Sequence, residues 1–144
     1  MKFALIGCGR ISPNHVAAAL ENYLEIVALC DVVPEKMKHT IERFNLPQNT
    51  PAYNDYIQML EEQKPDLVAI CTESGGHGAI ALDCLDYQAH LIIEKPIALS
   101  LVEADQIIEK AAETRRIVCA CHQNRFNKSI QKIREAMEGG RFGR

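Results

Sequence analysis

Two glycines and a carboxylate give the first chemical signal in this sequence. Gly7-Cys8-Gly9 follows the apolar run Phe3-Ala4-Leu5-Ile6, and Asp31 ends the apolar run Ile26-Val27-Ala28-Leu29-Cys30. Glycines placed just after a buried strand let an anion approach the backbone more closely than a Cβ permits, and the N–H groups opening the next helix then face it. The full pattern is Gly7-x-Gly9-x-x-Ser12, with serine where a third glycine would stand. Alone it is a weak signal, because glycine pairs after apolar runs also occur in ordinary turns. Asp31 lies 22 positions after Gly9, close to the spacing at which a carboxylate accepts the hydroxyls of an adenosine ribose. Together they predict a bound NAD. The carboxylate would repel the extra phosphate of NADP, no arginine directly follows it, and Lys36, Lys38 and Arg43, which come later, read as solvated residues of a helix. The bland alternative is that Asp31 merely ends a strand.

Further chemistry-bearing residues fall at the ends of later apolar runs. Leu67 to Cys71 runs into Thr72-Glu73-Ser74-Gly75-Gly76, and His90 to Ile93 runs into Glu94-Lys95-Pro96. In an open α/β sheet the carboxyl ends of the strands form the edge where ligands bind, so these loops are cofactor candidates. His77 either contacts cofactor or substrate or is a solvated histidine at a helix start.

The elements that must hold these residues alternate along the chain. Ser12-Pro13 opens a helix with the stripe Val16, Ala17, Leu20; Pro34 opens another to about Phe44. A loop from Pro47 to Pro51 leads into a third, Tyr53 to Glu62, with Tyr56, Ile57 and Leu60 inward. Gly78 to Asp86 is a fourth helix, and Ser100-x-x-Glu103 is a capping box for a fifth carrying Ala104, Ile107, Ile108 and Ala111 inward. A fifth strand, Ile117 to Cys121, and a helix from about Lys128 to Glu138, stopped by Gly139-Gly140, complete the set. Strands buried on both faces and separated by crossover helices specify a doubly wound parallel sheet.

Composition narrows the function classes. With 144 residues and 47% apolar content the chain makes one core; a net charge of −3 with scattered Lys and Arg argues against nucleic acid. No stretch approaches the length of a membrane span or a signal peptide, so a cytoplasmic protein is expected. Of six cysteines, Cys8, Cys30, Cys71, Cys119 and Cys121 sit in or beside predicted buried strands and read as small hydrophobes. No metal site is expected. Cys119, Cys121 and His122 point to opposite faces of a strand and cannot converge on one ion.

GCGRIS, the strand-terminal Asp31 and above all EKPIALS at positions 94–100 resemble the Gfo/Idh/MocA oxidoreductases over essentially the whole chain. CTES at 71–74 and HQNRFN at 122–127 are similar, more narrowly, to the bacterial UDP-N-acetylglucosaminuronate 3-dehydrogenases of surface-polysaccharide synthesis. The resemblance implies a Rossmann domain over residues 1–122, a boundary helix over 123–144, and a substrate domain that this chain lacks. It implies that Gly7, Gly9, Arg10 and Ile11 line the pyrophosphate, that Asp31 holds the adenosine ribose, and that Thr72, Ser74 and His77 border the nicotinamide half. Glu94 and Lys95 would reach the nicotinamide ribose and the substrate, with Gln123 and Arg125 following at the next strand end. The Lys95-Pro96 bond is commonly cis in the family, an ordinary turn proline being the alternative. A sugar or nucleotide-sugar substrate and a homo-oligomeric full-length enzyme are also implied.

Oxidising a sugar alcohol moves hydride to the nicotinamide while the hydroxyl proton goes to a base. Lys95 is the catalytic candidate. A lysine serves as base near neutrality only beside another positive charge or when buried, and the oxidised nicotinamide supplies such a charge; its alternative is a purely electrostatic role. The chain by itself is expected to bind NAD, to be inactive, and to self-associate through an uncovered apolar surface. Two other classes share the sheet: an NAD-sensing module, which has no need of Glu94-Lys95-Pro96, and a sugar-phosphate or nucleotide-binding protein without redox chemistry.

Overall fold

A computed structural model describes residues 1–143. Six strands form one parallel sheet in the order β3-β2-β1-β4-β5-β6. They are β1 (Lys2–Ile6), β2 (Glu25–Cys30), β3 (Ala52–Tyr53), β4 (Leu67–Ile70), β5 (His90–Ile93) and β6 (Val118–Ala120). Between and after them run α1 (Ser12–Glu21), α2 (Pro34–Arg43), α3 (Tyr56–Gln63), α4 (His77–Asp86), α5 (Leu101–Thr114) and α6 (Lys128–Glu138). The strand order reverses between β1 and β4, and such a switch point leaves a crevice at the carboxyl edge of an open α/β sheet.

The central strands are apolar throughout because helices cover both faces. Ala4, Ile6, Val68, Ile70, Leu91 and Ile93 pack on one side with Ile80, Leu85 and Ile107, while Phe3, Leu5, Leu29 and Ala69 pack on the other with Val16, Met37 and Ile41.

Several sequence expectations are corrected. The segment read as a loop running into a helix at Tyr53 contains β3, and α3 starts only at Tyr56, capped by the Asp55 carboxylate, which accepts from the Ile57 N–H. On α3 the fully buried pair is Met59 and Leu60, with Tyr56 and Ile57 only half-buried. On α1 Ala19 takes the inward place expected of Leu20, which is exposed. On α5 Ile107 is buried whereas Ile108, about 100° further round the helix, is 62% exposed. Cys119 is exposed and Cys121 half-buried; Cys8, Cys30, Cys71 and Cys84 are buried. Ser100 caps α5 as expected, its Oγ accepting from the Glu103 N–H at 3.1 Å, while its hydroxyl donates to the Glu103 carboxylate at 3.2 Å in place of the reciprocal backbone bond of a full capping box. Among the described residues no helix is long and apolar enough to cross a membrane.

Candidate functional site

A cleft of about 760 Å³ opens at the carboxyl edge of the sheet over the switch point. It is lined by Gly7, Gly9, Arg10, Ile11, Asp31, Thr72, Ser74, His77, Glu94 and Lys95, ten of the twelve residues the sequence singles out. The other two, Gln123 and Arg125, do not line it. They lie exposed on the turn Gln123–Phe126, and Arg125 faces a separate hollow beside Cys119, His122 and α6.

The first loop shows why its residues are what they are. Gly7 has φ +92°, and a Cβ there would stand 2.6 Å from the Cys71 carbonyl carbon, so this glycine serves the close approach of β1 and β4. A Cβ on Gly9 would meet no atom within 4 Å. Its missing side chain therefore leaves open space in the cleft. Ser12 is buried, and its hydroxyl donates to the Gly9 carbonyl at 2.7 Å, which ties the turn to the start of α1.

Asp31 is 8% exposed, and its carboxylate accepts from the Cys8 N–H at 2.8 Å and the Val33 N–H at 2.9 Å. A carboxylate has about four acceptor sites. About two therefore remain for a ribose diol, and the residue both braces the phosphate loop and faces the cleft. Lys36 is exposed on α2, as expected of a solvated helix residue, and its Nζ also lies 3.6 Å from Asp31 Oδ1 at the edge of the cleft. Burial, and after it the Asp31 charge, pushes the Cys8 thiol up to about 12, so the cysteine in the phosphate turn is an inert filler rather than a nucleophile.

At the other end of the cleft, Lys95-Pro96 is cis and Glu94 is buried. The Glu94 carboxylate accepts from His15 at 2.9 Å and from the Lys95 N–H at 3.3 Å. Burial alone would raise its pKa; the hydrogen bonds from His15 and the Lys95 amide outweigh it and hold the carboxyl below the usual range. A carboxyl depressed on folding stabilises the fold above its unfolded pKa and loses that contribution as pH falls through the folded value. His15→Ala is accordingly expected to raise the Glu94 midpoint and move acid unfolding to higher pH. Carboxyl-carbon NMR and acid titration read both, and an unmoved midpoint refutes the pairing.

His15 was invisible in the sequence, one turn into a helix and 79 positions from its partner. Lys36, Asn54 and Tyr56 also join the lining. His77 is 1% exposed, which removes its reading as a solvated histidine. Its Nδ1 lies 2.7 Å from the Pro96 carbonyl and its Nε2 3.2 Å from that of Thr72, so one ring bridges the loops after β4 and β5.

A glycine pair at a helix start, a buried acid at the next strand end and a Glu-Lys pair across the switch point fit an NAD-binding Rossmann domain. Residues 1–122 match the family model GFO_IDH_MocA, "Oxidoreductase family, NAD-binding Rossmann fold", and the chain belongs to that family. The WlbA dehydrogenase of Chromobacterium violaceum, solved in complex with NADH and UDP-GlcNAcA, is 30% identical with a TM-score of 0.89, over 100% of this chain and 41% of its own. The myo-inositol 2-dehydrogenase of Thermotoga maritima is 26% identical over 100% of this chain and 42% of its own length. The D-apiose dehydrogenase of Paraburkholderia graminis is 32% identical over 99% and 37%. The chain thus spans about two-fifths of the length of the relatives it matches.

Proposed function

We propose that this chain is the cofactor half of a dehydrogenase that takes hydride from a sugar hydroxyl carbon, C3 of a UDP-N-acetyl-hexosaminuronate, to NAD. The observation that carries the reading is the single cleft joining the Gly7–Gly9 loop, Asp31 and Glu94-Lys95. The likeness to a WlbA dehydrogenase solved with NADH and UDP-GlcNAcA supports the nucleotide-sugar choice. NAD, when bound, supplies the hydride acceptor. Gly9 and the start of α1 hold the diphosphate, with Arg10 and Ile11 beside it. Asp31 takes the adenosine ribose diol. Thr72, Ser74 and His77 border the nicotinamide end, where Glu94 accepts from its ribose.

Lys95 is exposed at the cleft edge, next to the reacting carbon in this reading. The alcohol loses its C–H electron pair as hydride and its O–H proton to a base; Lys95 positions the hydroxyl and shares that proton transfer with a group from outside this chain. Residues 123–144 lead into the substrate-binding part, which also carries the oligomer contacts, and the enzyme works in the cytoplasm. Gln123 and Arg125 come into play only at that junction. A family dehydrogenase acting on inositol is the second reading, favoured by the Thermotoga relative. Full-length enzyme offered UDP-N-acetylglucosaminuronate and myo-inositol in turn, with NADH formation followed by absorbance, decides between them.

NADH is expected to bind appreciably tighter than NADPH. Asp31→Asn, which removes the charge together with one of the two accepted N–H bonds, should narrow the ratio by about tenfold, a modest part of the repulsion between unit charges near a protein surface. Fluorescence titration of both nucleotides measures it, and equal affinities in the unaltered chain would refute the ribose assignment. A sugar-phosphate or nucleotide-binding protein without redox chemistry should show no NAD-dependent fluorescence quenching and no protection by NADH.

A further inference from the structure

Three side chains from three separate elements meet around Glu94, which lines the cleft: His15 on α1, Glu94 itself after β5, and Cys121 directly after β6. A ring nitrogen, a carboxylate oxygen and a sulfur from these residues all lie within 4.8 Å of one another. We propose that His15, Glu94 and Cys121 form a site for one zinc-class divalent cation, with a fourth position open to water.

The donor set suits such an ion. An imidazole, a carboxylate and a thiolate are the ligands Zn²⁺ prefers, and the thiolate selects it over magnesium or calcium. Two anionic ligands balance the dication once the Cys121 thiol releases its proton to solvent on binding. Zinc bonds of about 2.0–2.3 Å in a tetrahedron put ligand atoms about 3.3–3.8 Å apart. The His15–Glu94 contact, at 2.9 Å, must open by less than about 1 Å, and the widest pair must close by a similar amount. His15 and Glu94 are both about nine-tenths buried as side chains, so two of the three ligands are already fixed by packing.

The sequence argument that Cys119, Cys121 and His122 cannot share an ion is unaffected, because Cys121 finds its partners on other elements. The ion would capture the carboxylate that the proposed function assigns to the nicotinamide ribose. Zinc is then a competitive inhibitor of cofactor binding, a consequence that rests on that reading, whereas the site itself does not.

Titration of the chain with Co²⁺ tests the site directly. One equivalent should give tetrahedral d–d bands and a thiolate-to-cobalt charge-transfer band, displaced by Zn²⁺. Cys121→Ser should abolish the charge-transfer band, and His15→Ala should weaken cobalt binding at least about tenfold, the lower end of what losing even an outer partner costs. Cys119→Ser should change nothing, and far-ultraviolet circular dichroism checks that each variant is folded. Absence of the band in the unaltered chain, or its persistence in Cys121→Ser, overturns the proposal. Stoichiometric cobalt binding that leaves NADH affinity unchanged would keep the metal site and remove Glu94 from the cofactor contacts.

Discussion

Replacing Gly7 by alanine is expected to cost about 3–5 kcal/mol of stability, whereas the same change at Gly9 should leave the fold intact and weaken NADH binding at least about tenfold. At Gly7 the new Cβ would stand 2.6 Å from the Cys71 carbonyl carbon and 2.7 Å from the Thr72 nitrogen, at a φ of +92°. Those neighbours are backbone of a central strand end and cannot rotate away, so strain and clash add. At Gly9 the methyl group meets nothing in the protein and enters only the space proposed for the diphosphate. Urea unfolding and NADH titration of the two variants separate a glycine needed for folding from one needed for the ligand. Unchanged NADH affinity in Gly9→Ala would show that the diphosphate does not lie over this loop.

The second large effect is expected at Lys95. In the full-length enzyme, Lys95→Ala should lower the rate of hydride transfer by about 10²–10⁴, the range for loss of a positioned acid–base group, with NADH affinity changed by less than about threefold. The split follows from position. Lys95 is exposed at the cleft rim, whereas the atoms that would grip the nucleotide lie deeper, on the first loop, Asp31 and Glu94. Single-turnover kinetics with C3-deuterated substrate checks it, and unchanged turnover removes Lys95 from the mechanism. Lys95→Arg keeps the charge but holds its proton, so a rescue by arginine would assign Lys95 an electrostatic role alone.

The core strands were legible because both faces of each are covered, which leaves an unbroken apolar run at Phe3–Ile6, Ile26–Cys30, Leu67–Ile70 and Leu91–Ile93. β3 was not: a two-residue edge strand after Pro51 is made by backbone pairing, with Leu29 N–H donating to the Pro51 carbonyl, and leaves no hydrophobic trace. Helix faces were read to within one residue, and the errors at Leu20 and Ile108 arose where a helix offers adjacent apolar residues and the register of packing decides which turns in. The cofactor end of the site follows from local motifs, since Gly7, Gly9 and Asp31 lie at strand ends whose places are set by the order of elements. His15 and Cys121 could not be found that way. Their partner in each case is Glu94, brought near by the sheet rather than by sequence spacing.

α6 carries Ile130, Ile133 and Met137 at helical spacing, exposed at 43%, 48% and 65%, with Phe126 on the preceding turn. Such a stripe gains stability only when covered. The chain alone is therefore expected to self-associate, as its sedimentation would reveal, and Ile133→Glu should return it to a single-copy species while leaving NADH affinity unaltered. A monomeric unaltered chain would refute this.

The ring of His77 lies between the carbonyls of Thr72 and Pro96, one on each of two neighbouring loops. The ring thus ties the loop after β5 to the start of α4, whereas Arg10 and the chain after Asp31 on the opposing lip have no such link to this ring. Amide exchange should then divide the cleft into a slow wall and a fast one.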